Sequence, residues 1–201
     1  SIHTGCCMHT VEYYKTMTVL ETVQKYHCTV LNGVPSMFLA ITRNPAHKDY
    51  DLSSLRNGII AGSPVSGEEY DMIHREIPGL VLFASYGQTE TAPCVSISDV
   101  GDSQAERATT AGRVLRHCEV RILAPDGTCR QTGEDGEICV RGYNVMQGYY
   151  HLPEETAKTI DADGWLHTGD LGHLDGRNFL YVTGRIKEMI IREMVIPLHD
   201  I

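Results

Sequence analysis

The sequence predicts an α/β region followed by a β-rich one: a parallel sheet with crossover helices, then a small antiparallel, barrel-like subdomain. Two observations carry this. Over the first hundred residues, segments with helical spacing alternate with short apolar runs that read as buried strands, the pattern of a parallel sheet joined by helices. After about Ser103 the runs become short and alternating, separated by Pro125-Asp126-Gly127, Asp135-Gly136, Asp163-Gly164 and Asp175-Gly176. Such turn residues between alternating runs are the mark of antiparallel structure. The expected organisation is an α/β subdomain over residues 1–103, a β-rich subdomain over 104–188 and a remnant hinge over 189–201.

Each element has its own local reason. Residues 18–26, T-V-L-E-T-V-Q-K-Y, place Val19, Leu20 and Val23 on one helical face. C-T-V-L-N-G-V then reads as a short buried strand ending at Gly33. Pro35 and Ser36 open a second helix, with proline in the first turn, where its missing N–H costs nothing. L-R-N-G-I-I-A-G is a strand candidate ending at Gly62. A helix starts at Ser66 or Gly67, with Glu68 and Glu69 in the turn where the helix dipole favours acids. It stops before Pro78-Gly79, and L-V-L-F-A-S follows as a strand. In the second half, C-E-V-R-I-L, E-I-C-V-R-G and N-F-L-Y-V-T-G are alternating strand candidates, and P-E-E-T-A-K-T-I is one short helix.

Composition narrows the class of function. The chain has 201 residues, 42% hydrophobic and 21% charged, which places it among globular rather than disordered proteins. A formal net charge of −9 argues against a general nucleic-acid binder, which needs a basic face. No apolar run approaches the roughly 20 residues that cross a bilayer. The start, S-I-H-T-G-C-C-M-H-T, lacks the basic and apolar regions of a secretory signal. Seven scattered cysteines with no C-x-x-C pair fit reduced thiols, and a cytoplasmic location is expected. His3, Cys6, Cys7 and His9 are metal-ligand types, but their spacing matches no standard zinc pattern, and a plain chain end is the favoured reading.

In open α/β sheets, ligands bind beyond the carboxyl ends of strands. Two loops fall there: Ala61-Gly62-Ser63-Pro64 and Ser85-Tyr86-Gly87-Gln88-Thr89-Glu90. Glycine permits close backbone approach, and Tyr86 offers a flat face to a planar ring. Thr89 can donate to a phosphate oxygen and Glu90 can hold a hard cation such as Mg²⁺. Taken alone, each loop reads more readily as a plain turn. A second constellation is G-W-L-H-T-G-D-L-G-H-L-D at 164–175. Asp170 is expected in a tight turn after Thr168-Gly169, either accepting from the paired hydroxyls of a ribose or bonding its own backbone. Arg185 and Lys187 in T-G-R-I-K-E-M-I-I-R suit phosphate or sugar hydroxyls, or else a solvated hairpin end. Trp165 and His167 read as packing or turn residues, with a role at the site left open for His167.

The order of these pieces is more specific than any one. A-G-S-P, S-Y-G-Q-T-E, G-E-I-C-V-R-G-Y-N-V-M-Q-G-Y-Y, D-G-W-L-H-T-G-D and V-T-G-R-I-K-E-M-I-I-R, in that sequence, resemble the adenylate-forming superfamily. The likeness runs from V-P-S-M-F to Arg192, and R-G-Y-N-V-M-Q-G-Y-Y-H-L-P-E-E-T-A is most similar to fatty acyl-CoA synthetases of medium- or long-chain type.

The resemblance implies an ATP-dependent ligase. A carboxylate reacts with ATP to give an acyl-adenylate and pyrophosphate, and the acyl group then passes to the thiol of coenzyme A. It implies that Gly62, Ser63 and Pro64 lie beside the adenine and that Tyr86 stacks on it. Ser85, Gly87 and Gln88 complete that nucleotide loop. Thr89 meets the α-phosphate and Glu90 binds Mg²⁺. Asp170 accepts from the ribose diol, with Arg185 as a second ribose contact. Lys187 marks the hinge to a small C-terminal domain, and Val34-Pro35-Ser36-Met37-Phe38 lies near the acyl pocket. The phosphate-gripping loop of the family would lie upstream of Ser1 and its C-terminal domain beyond Ile201, so the expectation is a piece inactive alone. A truncated module that binds AMP or an acyl-adenylate without catalysis, and a relative activating aryl or amino acids, are the alternatives.

Overall fold

The computed structural model describes residues 3–186. Two compact units divide between Phe83 and Ala84. The strands fall into two four-stranded sheets, the first in the chain order of its strands and the second likewise.

In the first unit, α1 (Thr16–Tyr26) buries Val19, Leu20 and Val23, the stripe that the spacing predicts. Its end is a left-handed residue, His27, whose N–H closes on the Val23 carbonyl. Helix α2 (Pro35–Thr42) starts on proline and buries Phe38 and Ile41. Strand β1 (Asn57–Ile60) follows, and then α3 (Gly67–Glu76), which opens on a reciprocal box between Ser66 and Glu69. Tyr70 of α3 is buried and its hydroxyl donates to the Leu82 carbonyl at 2.6 Å. Strand β2 (Val81–Tyr86) begins in this unit.

One expected strand is not there. Residues 28–34 make only two isolated parallel bridges, Val30 with Asn57 and Gly33 with Ile60. Between them the Ile59 N–H donates to the Asn32 side chain at 2.9 Å, so a side chain interrupts the backbone ladder. The pairing is parallel, as predicted, without a continuous strand.

In the second unit, the end of β2 pairs antiparallel with β3 (Ser96–Ile97), and β3 with β4 (Arg113–Val114). The segment between β2 and β3 is too short for the crossover that a parallel neighbour needs. Helix α4 (Gln104–Thr109), capped by Ser103 and Glu106, lies between β3 and β4 and was not expected. Strands β5 (Cys118–Leu123), β6 (Gly136–Gly142), β7 (Leu166–Leu174) and β8 (Leu180–Arg185) pair antiparallel in chain order, with α5 (Pro153–Thr159) inserted before β7.

This sheet is open and corrects the barrel expectation. β5 and β8 stand at opposite ends of the strand order. Closure requires first and last strands to pair, and a filled small barrel takes about eight strands. Val95, Ile122, Ile138, Val140 and Leu180 form the core of this unit, with Tyr86 packed against them.

Candidate functional site

The site is built around the end of β2. Gly87 is obligatory there: a Cβ would lie 2.0 Å from the Pro93 carbonyl oxygen. The chain then makes a single 3-10 turn over Thr89–Thr91 and leaves it through Ala92 in the left-handed region, φ 53°. Thr91 ties the turn to itself, accepting from the Gln88 N–H at 3.0 Å and donating to the Gln88 carbonyl at 2.9 Å. Ser85 donates to the Ser96 carbonyl at 3.0 Å. The turn leaves Thr89 exposed and Glu90 half-buried.

The segment 142–150 holds this loop from outside. Buried Asn144 donates through Nδ2 to the carbonyls of Thr91, at 3.2 Å, and Cys94, at 2.8 Å. The Met146 N–H donates to the Glu90 carbonyl at 2.8 Å. Tyr149 donates its hydroxyl to Glu90 Oε1 at 2.7 Å. That bond, ahead of burial, raises the Tyr149 pKa. Sequence reasoning did not single out Asn144 or Tyr149. Their only signal in the sequence is the R-G-Y-N-V-M-Q-G-Y-Y stretch that contains both.

Asp170 does not lie in the expected tight turn. It sits inside β7, on the buried face shared with Leu166, Thr168 and Gly172. The strand takes a left-handed residue at Gly169, φ 71°, and its register shifts between Leu171 and Gly172. Thr168 fixes the local backbone, donating to the Ile138 carbonyl at 2.7 Å and accepting from the Asp170 N–H at 3.0 Å. The Asp170 carboxylate receives the Tyr86 hydroxyl on Oδ2 at 2.8 Å and Arg185 Nε on Oδ1 at 2.6 Å. Arg185 faces Asp170 across the β7–β8 pair.

This arrangement has a definite electrostatic character. Burial, with the Asp170 charge beside it, raises the Tyr86 pKa far above the ordinary phenol value, so the hydroxyl stays a donor. The Asp170 side chain keeps 8% exposure and Arg185 keeps 59%, so the cation is the more solvent-facing member of the pair. A carboxylate has about four lone-pair directions, and two remain for paired hydroxyls. Glu90 offers one carboxylate, which suits a magnesium ion that keeps most of its ligands from water and phosphate.

Tyr86, Asp170 and Arg185 are therefore brought together in the second unit, with Thr89 and Glu90 on the same loop as Tyr86. Gly62, Ser63 and Pro64 belong to the first unit, in an exposed bend between β1 and α3, where Gly62 has φ 89°. Lys187 and the tail 189–201 lie outside the described residues. Trp165 packs between Arg121 and Arg141, whose guanidinium carbons stand 4.2 and 4.5 Å from its ring centre. All seven cysteines are free thiols. Among the described residues no helix is long and apolar enough to cross a membrane.

Comparison with known proteins gives consistent matches. A family profile described as "AMP-binding enzyme" matches residues 1–150. YngI of Bacillus subtilis, which carries the name of an acyl-CoA synthetase, is 45% identical over 95% of the chain and 35% of its own length. 4-Coumarate–CoA ligase 5 of Oryza sativa is 34% identical over 92% of the chain and 35% of its own length. The solved amide bond synthetase McbA of Marinactinospora thermotolerans superposes with a TM-score of 0.78 at 31% identity, over 88% of this chain and 35% of that one. The chain thus spans about a third of the length of the curated relatives it matches.

Proposed function

Since the chain belongs to the AMP-binding enzyme family, we propose that it supplies the nucleotide-holding part of an ATP-dependent acyl-CoA synthetase. The reaction joins a carboxylate to ATP, releasing pyrophosphate, and passes the acyl group from the adenylate to coenzyme A. The observation that carries the reading is the Asp170 carboxylate held between the Tyr86 hydroxyl and Arg185.

Each residue has a distinct part. Asp170 accepts from the ribose diol through its remaining lone pairs, by charge-assisted bonds. Tyr86 presents a ring whose tilt is set by its bond to Asp170, a platform for the adenine. Arg185 gives up part of its hold on Asp170 and takes a sugar oxygen. Thr89 donates to the α-phosphate, where negative charge develops, so the work there is positioning and electrostatic stabilisation. Glu90, oriented by Tyr149, holds Mg²⁺, which when bound neutralises phosphate charge.

The carboxylic acid is a fatty acid in this reading, supported by the resemblance of R-G-Y-N-V-M-Q-G-Y-Y-H-L-P-E-E-T-A to fatty acyl-CoA synthetases. Apolar burial offers such a chain ~0.8 kcal/mol per CH₂. Calorimetric titration of the 201-residue chain with AMP and with non-hydrolysable fatty-acyl, aryl and aminoacyl adenylates tests both parts. Tightest binding of the fatty-acyl analogue is expected. Preference for the aryl or aminoacyl analogue overturns the fatty acid, and no binding of AMP or any analogue overturns the nucleotide site. Pyrophosphate release with ATP and fatty acid separates a catalyst from a module that only binds.

A further inference from the structure

Glu137, Cys139 and His167 form a second cluster, on β6 and β7, that the adenylate reading does not use. Glu137 and Cys139 are two residues apart on one strand and so face the same way. His167 pairs directly with Cys139 across the ladder, and a register shift between Glu137 and Cys139 lets both reach it. One donor atom from each of the three lies within 4.8 Å of the other two. The His167 Nδ1 is 2.8 Å from Glu137 Oε2 and 3.5 Å from the Cys139 sulfur.

We propose that this triad is a binding site for a single divalent ion of the zinc class, with water as the fourth ligand. Nitrogen, thiolate and carboxylate are the donor set of a borderline-soft metal. Bonds of about 2.0 Å to nitrogen and 2.3 Å to sulfur give a tetrahedral N···S edge of about 3.5 Å, the spacing already present. The N···O spacing has to open by only about half an ångström to meet the same geometry. Glu137 and His167 keep 21% and 31% side-chain exposure, enough for an ion to enter and a water to remain.

The surroundings fit a bound dication as well. The second oxygen of Glu137 is held by the Gly169 N–H at 3.1 Å, which orients the carboxylate. The Asp161 carboxylate stands 3.8 Å from His167 Nε2, the side on which a metal-bound histidine meets an outer carboxylate. Arg121, beside Asp161 at 2.9 Å, has its Nε buried without a hydrogen-bond partner among the described residues, a donor that a thiolate would satisfy. Against this stands one cost: burial, then the Glu137 charge, push the Cys139 thiol up to about 12, so the ion has to displace its proton.

Cobalt titration of the full chain tests the site with the metal alone, so its outcome is independent of nucleotide binding. One equivalent of Co²⁺ is expected to give a thiolate-to-cobalt charge-transfer band, reversed by Zn²⁺. The band should persist in Cys6→Ser/Cys7→Ser and vanish in Cys139→Ser. His167→Gln should weaken cobalt binding at least about tenfold. No band in the natural chain, or one that survives Cys139→Ser, overturns the proposal. If Cys139→Ser fails to fold by circular dichroism, His167→Gln, at a part-exposed position, decides: unchanged cobalt affinity overturns it.

Discussion

At the scale of single residues, the arrangement around Asp170 separates its role from that of Thr89. Asp170→Ala removes a carboxylate that would bond both ribose hydroxyls, and bonds to charged groups are worth about 1.5–3 kcal/mol each. AMP affinity measured by calorimetry should fall at least tenfold, about 1.4 kcal/mol, with a smaller loss in Thr89→Ala. AMP affinities equal to the natural chain's in both variants would remove Asp170 from the site. Tyr149→Phe takes away the hydroxyl 2.7 Å from Glu90. Binding of Mg²⁺–ATP should weaken several-fold while metal-free AMP binding stays unchanged, and matched losses would mean a general collapse of the loop. Residues of this kind differ in how far the sequence reveals them. Tyr86 and Asp170 are legible because short motifs surround them. Tyr149 is not, because its partner lies 59 residues away and only folding shows the pair.

At the scale of elements, caps and close approaches govern stability. Gly87→Ala would drive a Cβ into backbone at 2.0 Å, with no flexible side chain to yield. A loss of at least about 2 kcal/mol is expected, seen as a melting point lower by about 4–8 °C. Helix α4 depends on the Ser103–Glu106 box, in which the Ser103 N–H donates to Glu106 at 2.7 Å. Replacing Ser103 by alanine should cost about 1 kcal/mol. The Ser103 backbone and side chain, then Arg177, lower Glu106 from 4.5 to about 2. A depressed carboxylate stabilises the fold above its unfolded value, so this contribution is present above pH 4.5 and lost as pH falls toward 2. Urea midpoints followed from pH 5 down to 2 should therefore slope less in Glu106→Gln. The S-x-x-E pattern that announces α3 is also present before α4. Its six residues leave no apolar stripe to confirm a helix from the sequence. Residues 28–34 erred in the other direction: their apolar content looks like a strand, while the Asn32 side chain takes the place of a ladder bond.

At the scale of the whole molecule, ligand binding and folding are coupled. AMP at a hundred times its dissociation constant should stabilise the chain by about 2.7 kcal/mol, a rise of about 5–10 °C in the melting of the unit that holds Asp170. Asp170→Ala should abolish the rise, and a flat response in the natural chain would refute a nucleotide site. The α/β-then-β texture was legible because hydrophobic period changes along the chain. Closure of the second sheet was not, because alternation is the same in an open sheet and a barrel; only the pairing of end strands distinguishes them. The strand that carries Asp170 has a further consequence for how such chains can change length. Along β7 the buried side chains fall at every second position from Leu166 to Gly172, and Asp170 is one of them. A single residue inserted between Leu166 and Gly169 would send the carboxylate to the opposite face unless the strand absorbed it as a bulge, whereas two would return it to the same one. Length change ahead of the carboxylate is thereby tied to even steps or to bulges, whereas the turn over Asp175–Asn178 lies beyond it.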